Sequence, residues 1–167
     1  MLVEDHHEKL LATHCTWMRG DYDSKVCEYR LVFEKAEILP RSGGKALDLG
    51  CGPGFQSVVL ADLGFEVPSV DTSATLLQEL RDRTGGRVVR TVLGDMRESK
   101  TYANEGPFEV AVCMGSTLPH LRAYREVERL LGGVLAVLEN GDTLVLEFCD
   151  ATRELEGADL FHIALEV

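Results

Sequence analysis

Positive charge is in short supply in this chain: 17 Lys and Arg stand against 28 Asp and Glu, a formal net charge of −11 over 167 residues. A surface of that sign offers no electrostatic footprint for phosphate backbones or anionic lipid, so neither nucleic acid nor membrane is an expected partner. Cysteine is scattered: Cys15, Cys27, Cys51, Cys113 and Cys149 are odd in number and form no Cys-x-x-Cys pair. That fits reduced, core-filling thiols in a cytoplasmic protein, not a disulfide framework or a zinc site. His6, His7 and His14 have no carboxylate or thiol partner at metal-ligand spacing, so no metal is expected. No apolar run is long enough to cross a bilayer, and the acidic start at residues 3–7 has no signal-peptide character. Internal repeats and low-complexity linkers are missing too. What is present is 45% hydrophobic content, enough to bury one core, so a single structural domain is expected.

Two amphipathic patterns come first. Leu10, Leu11, His14, Trp17 and Met18 fall at helical spacing in residues 5–18, and Val26, Tyr29 and Phe33 do so in residues 24–39, before Pro40 and Gly43-Gly44 stop the pattern. Residues 1–44 therefore read as an N-terminal helical lid on residues 45–167. In the latter, strands at 45–49, 65–70, 88–93, 109–114 and 143–148 alternate with helices at 55–63, 73–83 and 121–139. That alternation predicts an α/β fold with a doubly wound, mostly parallel sheet between helical layers, and a ligand crevice at the carboxyl ends of the strands. Pro68 cannot donate to a ladder, which predicts a bulge at that point. After a polar, helix-compatible stretch at 149–158, residues 161–167 alternate like one half-buried strand.

The run Ala46-Leu47-Asp48-Leu49-Gly50-Cys51-Gly52-Pro53-Gly54-Phe55 reads as a strand, a tight turn and a helix start. Glycines at alternate positions let the backbone bend sharply and approach a ligand without Cβ interference. A dinucleotide site is one reading, but its fingerprint places a third glycine or alanine at position 55, where Phe55 stands. Asp48, read as facing the ligand's charged end, would repel a pyrophosphate. At 4 Å two unit charges interact by about 4 kcal/mol at an effective dielectric near 20, so the site should favour a cation. Asp71, roughly 20 residues past the turn, suits a grip on ribose hydroxyls with Thr72 beside it. It also reads as the N-cap of the helix carrying Leu76, Leu77 and Leu80, and the two readings are compatible.

This stretch resembles motif I of class I methyltransferases, which bind S-adenosyl-L-methionine, a ligand whose ammonium and sulfonium supply the positive charge. The resemblance implies a Rossmann-like fold in three α/β/α layers, with Asp48, Gly50, Gly52, Gly54 and Asp71 around the cofactor. It further implies that Asp95 and Met96, after the third strand, meet the adenine. The segment Met114-Gly115-Ser116-Thr117-Leu118-Pro119-His120-Leu121 is similar to the Gly-Asn-Ser-x-x-His-Leu pattern of glycine and sarcosine N-methyltransferases, with Ser116 where Asn is usual. Met114, Gly115 and Ser116 are thereby expected against the cofactor, beside the reacting methyl. Gly20-Asp21, Lys25 and Glu28-Tyr29 are similar to the Gly-Asp, basic residue and Glu-Tyr of the same enzymes, whose Arg holds the methionine carboxylate. Lys25 takes that position, with the charge but without the planar fork of Arg. The Pro-Pro-aromatic run of DNA and protein-glutamine methyltransferases is absent. The likeness spans residues 20–148. Class I methyltransferases usually finish the sheet with an antiparallel pair of strands. The remaining length holds one at most, so the C-terminal strands are expected to be incomplete and a homodimer could cover the exposed edge.

Methyl transfer from a sulfonium is an in-line displacement, in which alignment and exclusion of water carry most of the catalysis. An amine acceptor must arrive deprotonated, which makes His120 the candidate base or orienter and Tyr22 a second site candidate. The expectation is methyl transfer to a small molecule, at nitrogen first and oxygen second. A cofactor-binding module without turnover, a methyltransferase fragment and a nucleotide-dependent oxidoreductase are the rivals.

Overall fold

Strand β1 (Ala46–Leu49) is buried along its whole length and lies at the centre of a six-stranded sheet. The computed structural model describes residues 12–149 and 160–166. The expectations for His6, His7, the beginning of the first helix and the stretch 150–159 lie outside the described residues. Helices α1 (Ala12–Met18) and α2 (Tyr22–Lys35) precede β1. Then follow α3 (Phe55–Asp62), β2 (Val67–Asp71), α4 (Ala74–Arg83), β3 (Val89–Leu93), β4 (Phe108–Cys113), α5 (Tyr124–Leu135), β5 (Leu138–Cys149) and β6 (Leu160–Glu166).

The strand order is β3-β2-β1-β4-β5-β6, with every pair parallel except β5 with β6. The order reverses between β1 and β4, which is where doubly wound sheets open a crevice. The mostly parallel α/β sheet is as expected, including one antiparallel strand beyond the fifth.

Side-chain alternation along the strands feeds two cores, one on each face. Ala46 and Val110 join Phe33, Phe55, Leu60 and Leu80 beneath α2, α3 and α4, while Leu47, Leu49 and Ala111 join Tyr102, Phe108, Leu130 and Val134 beneath α5. Each buried face removes large apolar side chains from water, at about 1.5–3 kcal/mol apiece.

Two local expectations are corrected. No bulge forms at Pro68, which pairs in register with Arg90 of β3. Instead the β1·β2 pairing lapses opposite it, between the Lys45↔Glu66 bridge and Asp48↔Ser69, because proline has no N–H to give. The sheet's irregularity lies in the β4·β5 pair, between Phe108 and Val110. Finally, α5 is shorter than the 121–139 expected. The Glu126 carboxylate accepts from the backbone N–H of Arg122 (2.8 Å) and Ala123 (3.3 Å), fixing the helix start after them, and β5 has begun by Leu138.

At the edge opposite the crevice, the buried Glu109 carboxylate gathers the chain that enters β1. It accepts backbone N–H groups from Arg41 (2.7 Å), Ser42 (2.6 Å), Gly43 and Gly44 (3.0 Å). Burial alone works against its charge, but these donors outweigh it and hold the carboxyl at about 2.

Candidate functional site

The carboxyl ends of β1, β2, β3 and β4 open into a cleft of about 1010 Å³, walled on the side of the N-terminal helices by Cys15 and Arg19. That space accommodates a nucleoside-sized ligand with a small second molecule.

The floor is the glycine turn. Gly50, at φ +67, sits where a Cβ would collide with Thr117, and its N–H donates to Val70 O at 2.8 Å. The turn is therefore bare backbone, held against β2 on one side and the loop after β4 on the other. Asp71 ties the turn to the next helix: Oδ2 accepts from Gly52 N and Oδ1 from Ser73 N, both at 2.8 Å. Ser73, not Asp71, is the N-cap of α4, accepting from Leu76 N at 3.2 Å. Asp71 remains on the cleft wall beside the exposed Thr72.

Of the residues named from sequence, Gly50, Gly52, Asp71, Thr72, Asp95, Met96, Met114, Gly115 and His120 line this one cleft. Asp48, Tyr22, Lys25, Gly54 and Ser116 do not, and each has a physical reason.

Asp48 is 1% exposed and lies beneath the turn. The period of two that puts Leu47 and Leu49 under α5 points Asp48 at α3, where Ser57 Oγ donates to its Oδ2 at 2.6 Å and Ser69 Oγ donates to Ser57 Oγ at 2.9 Å. Burial first, and the nearby Asp71 charge second, push its carboxyl up to about 7 against the Ser57 hydrogen bond. It is not the anion facing the ligand that its place in the sequence suggests.

Tyr22 supports the turn from the side. Its ring packs on Phe55 with centroids 4.7 Å apart, the Arg83 guanidinium lies 4.5 Å from its centroid, and its hydroxyl donates to Gly54 O at 3.4 Å. Burial pushes this phenol up to about 12, so it carries no negative charge at neutral pH. Lys25, one turn into α2, pairs with Glu28 on the same helix face instead of reaching the cleft. Gly54 at φ +90 opens α3 with its open face against Leu80 in the core. Ser116 adopts φ +60, a left-handed conformation that suits Asn better than Ser, while its neighbours Gly115 and Thr117 stay on the wall.

Several cleft residues were not anticipated. Thr117 Oγ1 donates to Met114 O at 2.6 Å and lies 3.3 Å from Gly50 O, locking the loop after β4 onto the glycine turn. Arg97 holds the Asp95 carboxylate through Nε (2.9 Å to each oxygen) and Nη2 (2.5 Å) and also contacts Glu126. That hydrogen bonding keeps Asp95 below the usual carboxylate range despite its partial burial, so it is an acceptor throughout the neutral range. Cys15 and Cys51 also line the cleft, and burial pushes both thiols up, so neither is a ready nucleophile. The spacing Asp95-x-Arg97 was the one available signal for the Arg97 clamp. Among the described residues no cluster of His, Cys, Asp and Glu could hold a metal ion, and no helix is long and apolar enough to cross a membrane.

A bare glycine turn, a carboxylate at the end of β2, and an ionised acid beside a methionine after β3 together fit a ribonucleoside laid across the strand ends. Comparison with known proteins agrees. A family model described as a methyltransferase domain matches residues 46–141. Glycine/sarcosine N-methyltransferase of Parasynechococcus marenigrum (strain WH8102) is 31% identical over 123 residues, 72% of this chain and 43% of that protein. Glycine N-methyltransferase of Homo sapiens is 27% identical over 143 residues, 77% of this chain and 48% of that protein. The chain thus spans less than half the length of these relatives. Among solved structures, the glycopeptide N-methyltransferase MtfA complexed with sinefungin superposes with a TM-score of 0.63 at 22% identity, covering 86% of this chain and 66% of that one. CalS10 bound to S-adenosylmethionine, an amino pentose methyltransferase from Micromonospora echinaspora, gives 0.64 at 25% identity, covering 83% of this chain and 56% of that one.

Proposed function

Because the chain belongs to the methyltransferase-domain family, we propose that it moves a methyl group from S-adenosylmethionine to a small-molecule acceptor, at nitrogen first and at oxygen second. The observation that carries this reading is the convergence of Asp71, Asp95, Met96, Gly115 and His120 on one cleft over the Gly50–Gly52 turn. When bound, the donor supplies an electrophilic methyl on a sulfonium, with a neutral thioether as the leaving group.

The chain's own residues bind and align. Asp71 would accept the ribose hydroxyls, each of its carboxylate oxygens offering two lone pairs. Asp95, oriented by Arg97, would accept the exocyclic amine of adenine, and Met96 would cover the ring. The turn of Leu118–His120 carries His120 on the wall of the same cleft, from which it would reach an acceptor. In that role His120 takes the proton that an ammonium acceptor must lose, or holds the acceptor's lone pair towards the methyl. The nitrogen preference rests on the relatives, which include glycine/sarcosine N-methyltransferases from three organisms.

The test is transfer of labelled methyl from the donor by the full chain across a panel of small amines, amino acids and hydroxyl compounds. Label in an amine is expected, with kcat lowered about 100-fold or more in His120→Ala. Tight donor binding with no transfer to any acceptor would favour a binding module and defeat the enzyme reading.

A further inference from the structure

Among the described residues before β1, one cation, Arg19, lies on the cleft wall, and it is not the one that the resemblance suggests. Arg19, in the turn between α1 and α2, is partly buried and lines the cleft, and its Nη2 donates to the carbonyl of Gly115. Among the described residues it forms no ion pair, whereas Arg30, Arg41, Arg83, Arg87, Arg90, Arg97 and Arg129 each meet a carboxylate. A second donor converges on the same spot. A Cβ added to Gly115 would lie 3.4 Å from Gln56 Nε2 and 3.5 and 3.6 Å from the two Arg19 Nη atoms, and Gln56 is 3% exposed. A guanidinium fork beside an amide N–H, at the end of β4, is the donor set that a carboxylate needs.

The strand order says which carboxylate. Along β3-β2-β1-β4 the cleft presents Asp95 and Met96, then Asp71, then the glycine turn, then Gly115 with Arg19 and Gln56. A donor with its purine at the first station and its ribose at the second lays its amino-acid tail at the last. Resting on the methyl-donor reading above, we propose that Arg19, aided by Gln56, anchors the carboxylate of that tail, and that Lys25 has no part in binding. The anchor comes from the turn before α2 instead of from its first helical turn.

Titration calorimetry with two ligands separates the possibilities. S-adenosylhomocysteine carries the tail; 5′-methylthioadenosine is the same thioether nucleoside without it. Arg19→Ala should weaken the first by about 10- to 100-fold, the range for a lost charge-assisted bond, and leave the second unchanged. Arg19→Lys should fall between, having charge without the fork. Lys25→Ala should bind both as the unaltered protein does. Retained binding of 5′-methylthioadenosine shows in the same experiment that Arg19→Ala is folded. Arg19→Ala binding S-adenosylhomocysteine normally, or losing both ligands equally, overturns the anchor while leaving the methyl-donor reading intact. If the unaltered protein binds neither ligand, both fall together.

Discussion

Thr117 closes the crevice over Gly50: its methyl fills the space where a side chain at position 50 would stand, and its hydroxyl hydrogen-bonds the carbonyls of Met114 and Gly50. The loop after β4 and the turn after β1 are thus one rigid unit, although 67 residues separate them. Gly50→Ala should therefore act on both. The new Cβ meets Thr117 at a backbone angle of φ +67, and the chain should lose about 1–3 kcal/mol of stability in denaturant unfolding. Donor affinity should fall with it. A variant with unaltered unfolding and affinity would mean that the turn accommodates a side chain.

Asp71 is the other tie, joining Gly52 to Ser73. Asp71→Ala removes the proposed ribose acceptor and the support of the turn together. Binding of S-adenosylhomocysteine should weaken by about 1–3 kcal/mol in titration calorimetry. An unchanged dissociation constant would remove Asp71 from the binding site.

Asp48 predicts a pH dependence. Its carboxyl titrates near 7 in the fold against an ordinary value of 3.8, so between those pH values the folded chain holds a proton that the unfolded chain has released. Its contribution to stability is full below about pH 4, declines as pH rises towards 7 and is gone above it. Asp48→Asn, which cannot ionise, should remove that slope from a plot of unfolding free energy against pH. The same slope in both proteins would show that Asp48 is ionised in the fold.

Glu109 runs the opposite way. Held at about 2 against an ordinary 4.5, it stabilises the fold fully above about pH 4.5 and loses that contribution as pH falls towards 2. Glu109→Gln keeps the shape but gives up the charge that four backbone N–H groups address. It should cost about 1–3 kcal/mol at neutral pH and flatten the acid limb of the stability curve. Because Glu109 lies at the far edge of the sheet, donor affinity should be preserved, which calorimetry can check.

Ser116 stores a little backbone strain at φ +60. Ser116→Gly should stabilise the chain by about 0.5–1 kcal/mol in thermal unfolding, because the left-handed conformation costs glycine nothing. A destabilised variant would show that the Ser116 side chain makes a contact worth more than the strain.

The alternation of strand and helix, the glycine turn and the acid at the end of β2 were all legible in the chain itself, because each depends on residues close in sequence. Local periodicity is enough to define an element, and a strand end followed by glycines is enough to place a crevice. The direction in which a given side chain points is a different matter. Asp48 has the right address for a ligand contact, but the pleat turns it under α3 to meet Ser57. Lys25 holds the aligned position, yet a helix neighbour, Glu28, takes its charge, while Arg19 reaches the cleft from a turn with no pattern to announce it. Thr117, Arg97 and Gln56 became part of the site through packing across the sheet. Local chemistry fixed the elements and the class of ligand; which cations and which carboxylates line the cleft was decided only when helices, turn and loops packed on one another, since only then do distant charges compete for the same partners.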